Sequence, residues 1–119
     1  MRRKKQIVLI MLCAVAIFSL NCTGLQVPPE KNHYVGVWQS VHGSPSIMQL
    51  TITSNGQVKY KRIDPGRTVS INSNIKEWNG NNFKVGLLFA TTEFVVQRTP
   101  YRSRGRWHMI VDGVHLARR

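Results

Sequence analysis

The sequence predicts an all-β fold: a small meandering antiparallel β-barrel or sandwich of about 7–9 strands, preceded by a signal-peptide helix. Three observations carry that expectation. From Tyr34 onward apolar and polar residues alternate with the period of two that a half-buried strand imposes. Turn-forming pairs such as Asn55-Gly56, Pro65-Gly66 and Asp112-Gly113 punctuate the alternating runs. No stretch beyond the first 20 residues has the 3.6-residue periodicity of a helix.

The first element is the amino terminus. Arg2-Arg3-Lys4-Lys5 precede a 14-residue apolar run from Ile7 to Leu20, a basic n-region followed by an h-region. A bilayer-spanning helix needs about 20 apolar residues, so a cleaved signal is favoured over a permanent anchor. The run ends in Phe18-Ser19-Leu20-Asn21-Cys22-Thr23-Gly24. A Cys directly after the apolar run resembles a bacterial lipoprotein signal, which implies that Cys22 becomes the lipidated first residue. Ser19 and Asn21 stand where that pattern prefers Leu and a small residue, and Leu20 sits one place late. The alternative is ordinary cleavage after Gly24, giving a soluble periplasmic or secreted protein. The expected organisation is residues 1–21 as signal peptide, 22–33 as a lipidated tether stiffened by Pro28-Pro29, and 34–119 as the β domain. Cys13 leaves with the signal, so the mature chain has no internal disulfide and depends on its hydrophobic core.

The strand registers follow from keeping one face apolar. Met48, Leu50 and Ile52 alternate with polar residues, as do Val58 and Tyr60. A two-residue Asn55-Gly56 turn would put lysines opposite Leu50 and Ile52. A three-residue turn with Gly56 in a bulge pairs Ile52 with Val58 and Leu50 with Tyr60 instead. A four-residue loop, Asn79 to Asn82, pairs Trp78 with Phe83 and sets Glu77 opposite Lys84. Phe83, Val85, Leu87 and Phe89 extend the core face. Glu93 to Gln97 reads as one strand with Phe94 and Val96 inward. Finally, Asp112-Gly113 as a tight turn pairs Val111 with Val114, Met109 with Leu116 and Trp107 with Arg118.

Gly36-Val37-Trp38 opens the first strand of the domain. A Gly-x-Trp followed by an up-and-down antiparallel chain resembles the lipocalin-like barrels. In those barrels the Trp packs across the closed end and a basic residue of a late strand can lie over it. The resemblance implies that Trp38 and Arg118 fill these roles, with Trp107 beside Arg118, and it suggests binding of a small apolar ligand. Trp38, Trp78, Phe83, Trp107 and Arg118 are the expected structural core. The domain is shorter than a full lipocalin, and eight short strands leave an interior that side chains alone can fill.

The chain carries 17 Lys and Arg against 5 acids. Without the four cations of the n-region the balance remains strongly basic. Such a surface attracts anionic partners: a membrane surface, another anionic envelope component or an acidic protein. After export, nucleic acid is the least available of these. Arg98, Arg102, Arg104 and Arg106 surround Tyr101 in a segment that Pro100 and Gly105 mark as a loop, the one candidate binding surface. Lys59, Lys61 and Arg62 add charge to the outer face of another strand. His108 and His115 fall on the outer face of the last hairpin in diagonal register, with no third ligand evident, so no metal or other cofactor is expected. Asp64 and Asp112 are accounted for by turns and Glu77 by Lys84. With no catalytic motif, the expectation is a non-catalytic binding or structural module of the cell envelope, tethered to the membrane through Cys22. The other reading is a lipocalin-like carrier.

Overall fold

The alternating pattern folds as nine antiparallel strands of a single curled sheet. The structure is a computed structural model and describes residues 26–87 and 90–119. The signal peptide, Cys22, Phe89 and the side chain of Leu87 lie outside the described residues. After a short 3-10 helix, Pro29–Tyr34, come β1 (Gly36–Ser40), β2 (Ile47–Ile52), β3 (Gln57–Asp64), β4 (Arg67–Asn79) and β5 (Asn82–Leu87). They are followed by β6 (Ala90–Phe94), β7 (Val96–Ser103), β8 (Arg106–Val111) and β9 (Val114–Arg118). The order across the sheet is β6-β5-β4-β3-β2-β1-β9-β8-β7. Its two edge strands are joined by Val95 alone. One residue advances the chain by about 3.8 Å, so the sheet must curl until its edges come close, which gives a half-barrel around one core.

The curl needs two local devices. The long β4 has a register irregularity between Ile75 and Glu77, where its pairing passes from β3 to β5. A bulge there bends the strand and raises its twist. At the corner, Asp112 clamps Val95: its amide N donates to Val95 O at 2.8 Å and its Oδ1 accepts from Val95 N at 2.9 Å. Asn82 Oδ1 accepts from Val96 N at 2.8 Å. Backbone groups that the break between edges would orphan are met by the Asp112 amide and by the Asp112 and Asn82 side chains.

Most expected registers are present. Ile52 pairs with Val58 and Leu50 with Tyr60, through a turn in which Gly56 has φ 87. Val111 pairs with Val114 and Met109 with Leu116. Trp78 pairs with Phe83 and Glu77 with Lys84, whose charged groups stand 3.8 Å apart. Asn79 and Asn82 also pair, so the loop there tightens to Gly80-Asn81. Glu93–Gln97 is not one strand. Phe94 ends β6 and Val96 begins β7, both buried, with the chain turning between them.

Trp38, Met48, Leu50, Val58, Phe83, Phe94, Met109 and Leu116 are fully enclosed and fill the interior. Tyr34 closes one end, with its ring edge-on to Trp78 and Phe83 and its hydroxyl donating to Asn81 O at 3.0 Å. Burial pushes its phenol pKa up to about 12. Val27 also packs on this core, so the packed part of the chain takes in the 3-10 helix and the residues just before it. Among the described residues no helix is long and apolar enough to cross a membrane.

Candidate anionic-surface site

The strand directions bring several termini to one end of the half-barrel. Gly36 pairs with Ile52, Trp38 with Arg118 and Ser103 with Arg106. The start of β1, the β2–β3 turn, the end of β9 and the β7–β8 turn therefore share that end. The chain enters there too, since Val27 N donates to Ser54 O in the β2–β3 turn at 3.0 Å.

The centre of this end is Trp107, half-buried on β8. His33 of the 3-10 helix stacks on its ring, with centroids 4.3 Å apart and planes 20° from parallel. The Arg118 guanidinium lies 5.4 Å from the Trp107 ring and 5.8 Å from that of Trp38, and Arg102 lies 5.7 Å from Trp107. Such placements draw a cation to the negative face of the indole. Gly36 makes room for this arrangement. At φ +146 it occupies a conformation open to glycine, and a Cβ there would stand 2.5 Å from Arg118 Cδ. Arg118 Nη1 also donates to Val35 O at 3.3 Å. Trp38 itself is anchored by its Nε1, which donates to Tyr34 O at 2.8 Å.

The arginine segment is a hairpin rather than a loop. Residues 96–103 form β7, with Pro100 inside a stretch of shifted register on an unpaired edge, where a missing N–H costs no ladder bond. Only Arg104-Gly105 is turn. Their φ values of 53 and 79 fit the tight mirror-image hairpin turn. Glycine meets that geometry freely, but arginine has to adopt a left-handed conformation that costs about 1–2 kcal/mol. The turn nevertheless puts a fully exposed cation at the tip. Arg106 Nη2 donates to Arg118 O at 3.3 Å and Arg102 Nη2 to Gly105 O at 3.4 Å.

The five candidates consequently separate. Arg102, Arg104 and Arg106 gather at the tip with Arg118, Arg119 and Trp107. Arg98 and Tyr101 stand higher on the outer face, where the Arg98 guanidinium stacks 3.6 Å from the Tyr101 ring centroid. The ion pairs Arg62–Asp64 and Lys84–Glu77 lie elsewhere, and among the described residues no Asp or Glu is paired with a tip arginine.

Arg62 does not join the outer charge of Lys59 and Lys61. Alternation turns it inward with Tyr60 and Val58. Its Nε donates to Asp64 Oδ2 at 3.1 Å, its Nη2 to Ser46 Oγ at 3.1 Å and its Nη1 to Asp112 O at 3.5 Å. The buried Ser46 hydroxyl also bonds Asp64. That bond, with Arg62 beside it, holds the Asp64 carboxyl below the usual carboxylate range. This network covers the opposite end of the half-barrel, and its charge is spent internally. The sequence reading missed it, together with the Asp112 clamp and the His33–Trp107 stack. Inward spacing of Arg62 with Val58 and Tyr60 was the available signal for the first.

Two depressions lined by described residues lie on the outside. One of about 240 Å³ lies among Gln39, Ile47, Gln49, Lys61 and Ile63, and one of about 280 Å³ lies beside the 3-10 helix among Glu30, His33, Asn81 and Pro100. Compared with protein families, with curated proteins and with solved structures, the chain has no match.

Proposed function

We propose that this chain is a non-catalytic envelope module that docks its arginine-bearing end onto an anionic membrane surface, in concert with a lipid on Cys22. The observation that carries the reading is the shared end. The chain enters the fold beside the β2–β3 turn, and the tip arginines and the half-buried Trp107 face the same way. Three residues separate Cys22 from Gln26, and the four residue-to-residue steps reach at most about 14 Å. A lipid on Cys22 would hold the domain within that distance of the headgroups with the cations turned toward them. A basic patch adds to such an anchor and sets which end of the domain meets the headgroups. Trp107 is of the residue type that favours the headgroup layer.

Each suitably placed cation contributes about 1 kcal/mol near an anionic surface. Arg102→Glu with Arg104→Glu in unacylated Cys22→Ser protein should therefore weaken sedimentation with phosphatidylglycerol vesicles by about 30-fold or more at low salt. Neutral phosphatidylcholine vesicles should bind neither form. Unchanged binding of the double variant would defeat the docking reading. Separately, intact mass of the membrane-fraction protein should show an acyl modification that Cys22→Ser removes.

A further inference from the structure

On the outer face of the last three strands, Tyr101 (β7), His108 (β8) and His115 (β9) converge. We infer that these three side chains form a binding site for a divalent transition metal of the copper type. The site is independent of the docking end.

Register alone sets the histidines diagonally, His108 opposite Ala117 and His115 opposite Ile110. The diagonal spacing of about 7–8 Å applies to backbone positions. The side chains lean together across it, so that His108 Nδ1 and His115 Nε2 stand 3.0 Å apart. Tyr101, directly opposite His108, stacks on it with centroids 5.5 Å apart and places its hydroxyl 3.4 Å from His115 Nε2. Three donor atoms from three adjacent strands thus crowd one point. This departs from the expectation of a diagonal histidine pair with no third ligand.

The protonation pattern suits a ligand. His108 Nε2 lies 3.2 Å from Ser103 O. A carbonyl only accepts, so Nε2 carries the proton and Nδ1 keeps its lone pair toward His115. A ring N–H tied to a backbone carbonyl is the usual outer support of a metal-bound histidine.

Geometry selects the metal. With metal–nitrogen bonds of about 2.0–2.1 Å, nitrogens 3.0 Å apart subtend about 95° at the ion. That is close to the right angle between neighbouring ligands of a tetragonal Cu²⁺ or Ni²⁺ centre, and Cu²⁺ stands at the top of the affinity series for nitrogen sites. Among the described residues no three His, Cys, Asp or Glu side chains are grouped so as to hold a metal ion; the inferred set is two imidazoles, one phenolate and water. On binding, the His115 Nε2 proton moves to Nδ1 and small rotations aim both lone pairs at the ion. Tyr101 then loses its proton to solvent, so one proton is released per metal bound.

The test is titration of full-length protein with Cu²⁺, followed by electron paramagnetic resonance, visible absorption and proton release, with circular dichroism as the check on folding. The expected result is one tightly bound Cu²⁺ with nitrogen hyperfine structure, a phenolate-to-copper absorption band and one proton released. His115→Ala should weaken binding at least tenfold. Tyr101→Phe should retain the nitrogen signal but abolish the band and the proton release, and His42→Ala should change nothing. Equal Cu²⁺ affinity in native protein and in folded His108→Ala/His115→Ala protein would overturn the inference, as would loss of binding in His42→Ala.

Discussion

Trp38 and Trp78 provide an internal comparison. Both pack in the core, but only one has its indole N–H satisfied. Trp38 is fully enclosed and donates to Tyr34 O at 2.8 Å, whereas the buried Trp78 Nε1 has no hydrogen-bond partner among the described residues. Trp38→Phe removes a bond worth about 0.5–1.5 kcal/mol and leaves a carbonyl whose lost partner costs about 1–3 kcal/mol, in addition to a small cavity. A loss of about 2–4 kcal/mol is expected. Trp78→Phe deletes an N–H that is already unsatisfied, so the desolvation penalty goes with it. The lost ring area and the Lys31 contact, 5.3 Å from the Trp78 ring, offset that gain, for a net change within about 1 kcal/mol. Trp38→Ala, which empties the site, should cost about 3–5 kcal/mol. Against a total of about 5–15 kcal/mol that is a large share. Urea unfolding followed by far-ultraviolet circular dichroism measures all three without relying on tryptophan emission. If Trp38→Phe costs no more than Trp78→Phe, the assignment of the anchoring bond is wrong. If Trp38→Ala costs under about 1 kcal/mol, Trp38 is not core.

Three further expectations follow from the same geometry. Gly36→Ala forces a side chain into a positive-φ conformation and against Arg118, and should destabilise by about 1–3 kcal/mol; adding Arg118→Ala should recover only the steric part, as a double-mutant cycle in urea would reveal. Arg104→Asn fits the φ of 53 better and should stabilise by about 1 kcal/mol while weakening phosphatidylglycerol binding, so weaker stability would refute the turn assignment. His115 has its pKa lowered below 6.5 by burial, then by His108 and Arg98, and Tyr101 also faces it. The unfolded chain therefore takes up that proton first. Stability present above pH 6.5 is lost as pH falls from there through the lower folded-state value, and His115→Ala should flatten that limb of the midpoint-versus-pH curve.

Where register decides the buried face, the sequence was legible. Ile52 opposite Val58 and Met109 opposite Leu116 could be read because a one-residue slip would expose every apolar side chain. The proximity of Arg118 to Trp38 and Trp107 was readable for the same reason. Legibility ended where side chains rather than patterns do the joining. Val95 looked like the middle of a strand, because nothing in Glu93–Gln97 breaks the alternation. The corner exists only because Asp112, distant in sequence, takes both of its backbone groups. Pro100 and Gly105 suggested a loop, yet Pro100 is tolerated in a strand on the unpaired edge of β7. His108 and His115 were separated by counting backbone positions, and their ring nitrogens meet because side chains extend along the diagonal.

The pairing of β1 with β9 joins Trp38 to Arg118, while every other ladder connects strands that follow one another in the chain. Hairpins close over a few residues, but this contact spans about 80, at an additional loop entropy of roughly 2–3 kcal/mol. The local hairpins therefore have every reason to form first, and the seam between the first and last strands closes once the final residues are available. A chain still emerging from its ribosome can hold its hairpins but not its curled sheet. Mutations in that seam should leave the folding rate nearly untouched and chiefly accelerate unfolding.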